Sequence, residues 1–167
     1  MYDNTRVDYF CKHPNELRIS VPWLSKCFDC TPTGRVNCQG NCCKGNVNEL
    51  SEKKIFVRYY NDEWNLIPNS IKEQLKPFLT DDRIVKVNAG VCTLLQFCLE
   101  NPQYEPRECK LYPLTISKSG LLVVSRNAYF KCPNYNKGKP VWITLKNNLI
   151  DLFGQDFYDR LQKDMEA

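Results

Sequence analysis

The sequence predicts a small α+β domain of irregular build, in which short helices and a β-hairpin carry cysteine-bearing loops. Three observations support that expectation. Residues 111–116 and 121–124 are apolar runs flanking Ser117-Lys118-Ser119-Gly120, a hairpin with glycine where a positive φ is wanted. A helical C-terminal portion follows at about 144–153 and 156–164, with Gly154 as a C-cap and Asp156 as an N-cap. Between 27 and 46 the chain mixes Pro32, Gly34, Gly40 and Gly45 with Asn37, Asn41 and Asn46, so that stretch reads as a loop shaped by its ligands.

The remaining elements follow in order. Ser51 can cap a helix over about 52–60, with Ile55, Phe56, Tyr59 and Tyr60 on its apolar side. Ser70 and Glu73 have the spacing of a capping box, and Pro77 limits the helix they would start. Residues 83–87 read as a strand. No internal repeat or long Gly/Ser linker interrupts the chain, so its 167 residues predict a single domain, 1–167.

Ten cysteines against a single histidine are the chemical signature of this chain. Eight of them fall into two spaced groups: Cys30, Cys38, Cys42 and Cys43, then Cys92, Cys98, Cys109 and Cys132. Apolar packing does not ask for thiols at such spacings, whereas thiolate coordination or a disulfide framework does. The chain opens with Tyr2, Asp3 and Asn4 after Met1 and has no apolar stretch of a secretory signal there, so reduced thiols in the cytoplasm are expected. No run approaches the ~18 apolar residues of a membrane span. At about 6% of the chain, cysteine also falls below the density of small disulfide scaffolds.

The 23 basic and 19 acidic residues give a formal charge of +4. Eight deprotonated thiols holding two dications, or two cubane clusters, would bring it to about zero. Nucleic acid is therefore not the expected partner, and a protein is.

Cys38 and Cys42 are separated by three residues with Gly40 between, a spacing from which two thiolates converge on one ion. The doublet Cys42-Cys43 is more informative. Neighbouring side chains diverge, so both thiolates fit one mononuclear tetrahedral site poorly and fit two metal positions better. That favours an iron–sulfur cluster, [4Fe-4S] in type, over a Zn2+ ion, which stays the alternative.

These residues resemble the small bacterial cysteine-cluster proteins of the YkgJ type, described as zinc- or iron-chelating CxxCxxCC domains. A related cysteine-rich region occurs in the flagellin lysine N-methylases. Cys42-Cys43-Lys44-Gly45 is similar to the family's doublet. Cys92-Thr93-Leu94-Leu95 resembles its second element, and Cys98 follows. Pro106-Arg107-Glu108-Cys109-Lys110-Leu111-Tyr112-Pro113 resembles its third, and Cys132 takes the closing place. The resemblance covers about residues 30–133 and departs from the pattern in three places. Seven residues separate Cys30 from Cys38 rather than two, Glu105 stands where the family has arginine, and the gap from Cys98 to Tyr104 is longer than usual.

The resemblance implies a metal-binding domain whose ligands are Cys30, Cys38, Cys42, Cys43, Cys92, Cys98, Cys109 and Cys132, with Cys27 as an additional or substitute ligand. Eight thiolates suit two four-ligand centres, which requires the loops 27–46 and 92–109 to meet. The methylase kinship keeps a protein-modifying or redox enzyme in view, and small four-cysteine modules keep a zinc-stabilised adaptor for a protein or nucleic acid. No catalytic residue is assigned, since the sequence holds no phosphate-binding glycine loop and no HExxH helix.

Several features keep two readings. Cys27 and Cys30 are a ligand pair, a redox pair or plain thiols. Cys11 reads as a buried thiol and His13-Pro14 as a turn rather than a ligand. Arg107 and Lys110 either offset an anionic thiolate centre or form a solvated face. The aromatics Phe97, Tyr104, Tyr112, Tyr129 and Phe130 fill the core and shield a cluster more simply than they stack bases.

Overall fold

The computed structural model describes residues 5–29, 57–88, 91–126, 129, 132 and 134–167. In chain order the described elements are α1 (Thr5–Lys12), β1 (Arg18–Ile19), α2 (Val21–Leu24) and β2 (Cys27–Phe28), then α3 (Asn61–Asn65), α4 (Asn69–Leu75), β3 (Val87–Asn88) and β4 (Val91–Cys92). These are followed by α5 (Leu95–Glu100), α6 (Arg107–Leu111), β5 (Leu114–Ile116), β6 (Leu121–Val124), β7 (Tyr135–Pro140), α7 (Val141–Thr144), α8 (Lys146–Phe153) and α9 (Gln155–Glu166). Short helices and small sheets make this an α+β fold, as the sequence predicts. The described residues fall into two compact units, one of residues 57–110 and one of 5–29 with 111–167.

The second unit is built on a three-stranded sheet in the order β1-β6-β5, with β5 and β6 antiparallel and β1 parallel to β6. The predicted hairpin is present, although its first strand begins at Leu114 because Leu111 closes α6. Along β5 and β6 burial alternates strictly, so Leu114, Ile116, Leu122 and Val124 face the core. The turn closes with the Gly120 amide donating to the Ser117 carbonyl at 3.0 Å. Gly120 sits at φ +78, and a Cβ there would lie 3.0 Å from Phe10 Cζ. Replacing it by alanine adds backbone strain to crowding, so Gly120→Ala is expected to cost about 1–2 kcal/mol in urea unfolding. A cost near zero would mean that this turn tolerates a side chain.

Helices α8 and α9 confirm the predicted C-terminal portion. Gly154, at φ +92, forms the junction and precedes α9 directly, so Asp156 lies in the first turn rather than at the N-cap. The apolar faces of these helices, including Leu149, Leu152, Phe157 and Leu161, join Phe28 and Leu122 in the core. Arg160 donates to the Pro14 and Leu17 carbonyls at 3.0 and 2.9 Å, tying α9 to the N-terminal segment.

In the 57–110 unit three expectations are corrected. The helix over 52–60 is not formed across its described part, 57–60. There Arg58 bridges Ile84 and the Tyr59 amide donates to the Arg83 carbonyl at 3.1 Å. Backbone pairing wins over the apparent helical period, and Tyr59 is buried as a strand-like residue. The box at Ser70 and Glu73 is also absent. Pro68, extended at φ −58 and ψ 145, precedes α4 directly, and its carbonyl accepts from Ile71 and Lys72, which leaves Ser70 inside the helix. The helix does end before Pro77, as expected. The strand 83–87 is reduced to bridges at Ile84 and Val85 followed by β3, because Arg83 turns the chain at φ +61. A core of Tyr59, Ile67, Leu75, Leu79, Leu94 and Phe97 closes this unit.

Candidate metal centre

The cysteines of the 57–110 unit are placed by three short elements. Cys92 ends β4, Cys98 lies on α5 and Cys109 lies on α6. Cys98 is 5% exposed and Cys92 packs half-buried against the same core. Helix α5 forms because Leu94, Phe97 and Cys98 supply one apolar side, and its Cys98 amide donates to the Leu94 carbonyl at 2.9 Å. Pro106, which needs no amide partner, opens α6, and its carbonyl accepts the Cys109 amide at 2.8 Å.

Tyr59 is the residue on which this arrangement converges. It is 1% exposed, and its hydroxyl donates to the Tyr104 carbonyl at 2.7 Å. Burial pushes its phenol far above the usual range, helped by the nearby Cys98 and Cys109 thiols and then by Glu63 and Glu105. Removing that hydroxyl would leave the Tyr104 carbonyl without it, so Tyr59→Phe is expected to cost about 1–3 kcal/mol in denaturant unfolding. An unchanged midpoint would show that water replaces it.

A set of polar contacts fixes α6 against the segment before it. Glu63 Oε2 accepts the Tyr60 amide at 2.9 Å, and Glu63 Oε1 accepts the Arg107 amide at 2.9 Å. The Arg107 guanidinium pairs with Asp62 at 2.8 Å, and the Tyr60 hydroxyl donates to Glu108 at 2.8 Å. Burial raises the Glu63 pKa against those two amides and the Arg107 charge. The Arg107 hydrogen bond and charge lower that of Asp62. The Arg107 side chain is 13% exposed, so it is an ion-paired residue rather than part of a solvated face.

In the second unit Cys27 begins β2, paired with β7, and Cys132 lies before β7. Tyr135 relates them: its amide donates to the Cys132 carbonyl at 3.2 Å. Partial burial, the Tyr129 hydroxyl and the Cys27 thiol hold its phenol above the usual range. Phe28 and Tyr129 pack against its ring, with centroids 5.3 and 5.2 Å away, and Trp23 meets the Tyr129 ring edge-on at 5.7 Å. Phe97, Tyr104, Tyr112 and Tyr129 all pack against their cores, which is the packing role expected of them. Cys11 is half-buried against the second core, and His13 is exposed, stacked on Tyr9 before a 3-10 turn at Pro14–Glu16.

Cys30, Cys38, Cys42 and Cys43 lie outside the described residues, as does Phe130, and so does most of the loop 27–46 expected to meet 92–109. Among the described residues no disulfide is formed, and no group of three or more Cys, His, Asp or Glu side chains is arranged to hold an ion. Sequence reasoning missed Tyr59, Tyr60 and Glu63. Only Glu63 had a readable signal, as an acidic residue in a first helical turn, because tyrosine is not a residue type that marks a cap. Among the described residues no helix is long and apolar enough to cross a membrane. No family model matches the chain, and neither a curated protein nor a solved structure shows significant similarity to it.

Proposed function

We propose that this chain is a metal-centre protein that uses clustered cysteine thiolates to bind an iron–sulfur cluster, [4Fe-4S] in type. The observation that carries the reading is that Cys98 and Cys92 lie in one core with Tyr59, Leu94 and Phe97, while Cys109 sits on α6 in the same unit. The donor set fits. Thiolates are the soft ligands that iron–sulfur clusters and zinc both take, and Phe97, Leu94 and Tyr104 supply an apolar surround that limits solvent access. With Cys92, Cys98 and Cys109, the proposed set of eight is completed by Cys38, Cys42, Cys43 and Cys132 and by Cys30 or Cys27, and the Cys42-Cys43 doublet favours a cluster over a single ion. Likeness to the YkgJ-type cysteine-cluster proteins supports the same ligand set.

A cluster in such a setting would supply either electron transfer or structural linkage, and the partner proposed is a protein, in the reducing cytoplasm. Anaerobic purification followed by metal and sulfide analysis and an optical spectrum tests the reading. Iron with matching sulfide and absorbance near 400 nm is expected. Stoichiometric zinc without sulfide would replace the cluster by the zinc alternative, and no bound metal would end both. Flow-through on heparin at low salt is expected, since the metal-loaded charge is about zero.

A further inference from the structure

We infer that Glu63 is a positioning residue for the Cys109 ligand, acting through the backbone of α6; this rests on the metal-centre reading above. One carboxylate holds two amides that belong to different parts of the site. Its Oε2 takes the Tyr60 amide, next to Tyr59, and its Oε1 takes the Arg107 amide, two residues before Cys109. The backbone just after Tyr59 and the start of α6 are therefore held by the two oxygens of one carboxylate. Asp62 adds a second hold on the same helix through the Arg107 guanidinium, and the Tyr60 hydroxyl adds a third on Glu108.

The Arg107 amide, an orphan at the start of α6, is thereby satisfied by a side chain from α3, not from the local chain. Pro106 cannot cap with its side chain, and helix N-termini need such acceptors. Glu63 acts on α6 through the Arg107 amide, two residues before the ligand, as partners beyond the ligands do in metal sites. There their loss typically costs about 10–100-fold in metal affinity.

The test compares wild type with Glu63→Gln, Glu63→Ala and the core variant Leu75→Ala, all purified anaerobically with their native metal. Glutamine keeps one acceptor oxygen and turns an NH2 group on the other amide, so it breaks one of the two bonds with little change in volume. Release of metal to an excess of chelator is expected about 10-fold faster in Glu63→Gln and about 100-fold faster in Glu63→Ala, with altered optical features of the centre. Leu75, fully buried in the same core but with an alkyl side chain that bonds neither amide, provides the comparison: its alanine variant is expected to lower the thermal midpoint yet keep the spectrum and the release rate measured well below that midpoint.

A Glu63→Gln protein with wild-type spectrum and release rate overturns the inference while leaving the metal reading intact. So does a Leu75→Ala protein that releases metal as fast as Glu63→Gln. Wild type without metal overturns the reading itself. Should both Glu63 variants fail to fold, amide hydrogen exchange on wild type decides: Tyr60 and Arg107 amides must be protected to similar degrees, and a rapidly exchanging Arg107 amide overturns the role.

Discussion

A Cys109→Ser protein is expected to lose its metal and to melt more than about 10 °C below wild type. Serine cannot replace the thiolate. Its hydroxyl is a hard donor that stays protonated at neutral pH, so one position of a four-ligand centre is lost. Site formation contributes roughly 10 kcal/mol of folding free energy in zinc-finger peptides. Losing even half of that, about 5 kcal/mol, corresponds to roughly 10–20 °C at this chain length. The lever is large because the structure holds Cys109 in place independently, through the Pro106 carbonyl and the contacts of Arg107 with Asp62 and Glu63. These contacts run through the backbone of α6 and the Arg107 side chain rather than the Cys109 thiol, so serine leaves them in place and the loss expected is that of the ligand. Metal analysis, absorbance near 400 nm and scanning calorimetry measure the result. Retained metal with an unchanged midpoint would take Cys109 out of the ligand set. Cys11→Ser is the matching control, expected to keep the metal.

Much of the second unit was legible because its elements carry local instructions. The hairpin is announced by two apolar runs around Gly120, and the C-terminal helix pair by Gly154 between two amphipathic stretches. The parallel pairing of β1 with β6 was not legible. Two residues, Arg18 and Ile19, cannot declare a partner more than a hundred positions away, and only packing in three dimensions selects it. The 57–110 unit failed in the opposite way. Tyr59 and Tyr60 match a helical period, yet extended pairing with Arg83 and Ile84 wins, since the bridge buries Tyr59 and frees Tyr60 to reach Glu108. The cysteine spacing pointed to thiolate chemistry without showing what surrounds it. That Cys98 shares a core with Tyr59, and that Glu63 spans from Tyr60 to Arg107, depends on contacts some forty residues apart. No local pattern encodes such contacts.

Removing the metal with a chelator under reducing, anaerobic conditions is expected to loosen the 57–110 unit far more than the other. The reason lies in how each is built. The longest described helix of the 57–110 unit is α4 with seven residues, and its strands are two residues long. Helices that short are not stable by themselves, and a two-stranded pairing adds little. The proposed ligands Cys92, Cys98 and Cys109 lie on β4, α5 and α6, the very elements that lack length, so each thiolate bound would hold down one of them. The second unit instead has the twelve-residue α9 and the eight-residue α8 packed on a three-stranded sheet, with Phe28, Phe157, Leu122 and Leu149 fully buried. Hydrogen exchange read amide by amide should separate the two. Cys98, Asn101 and Val85, bonded at 2.9, 2.8 and 2.8 Å in the intact fold, are expected to lose at least about 100-fold in protection, roughly 3 kcal/mol of local stability. Leu145 and Leu149, bonded at 2.9 and 2.8 Å, should keep theirs to within a few-fold. Equal losses in both units would mean that ligation stabilises the chain as a whole, and no loss at Cys98 would mean that its thiol holds no metal.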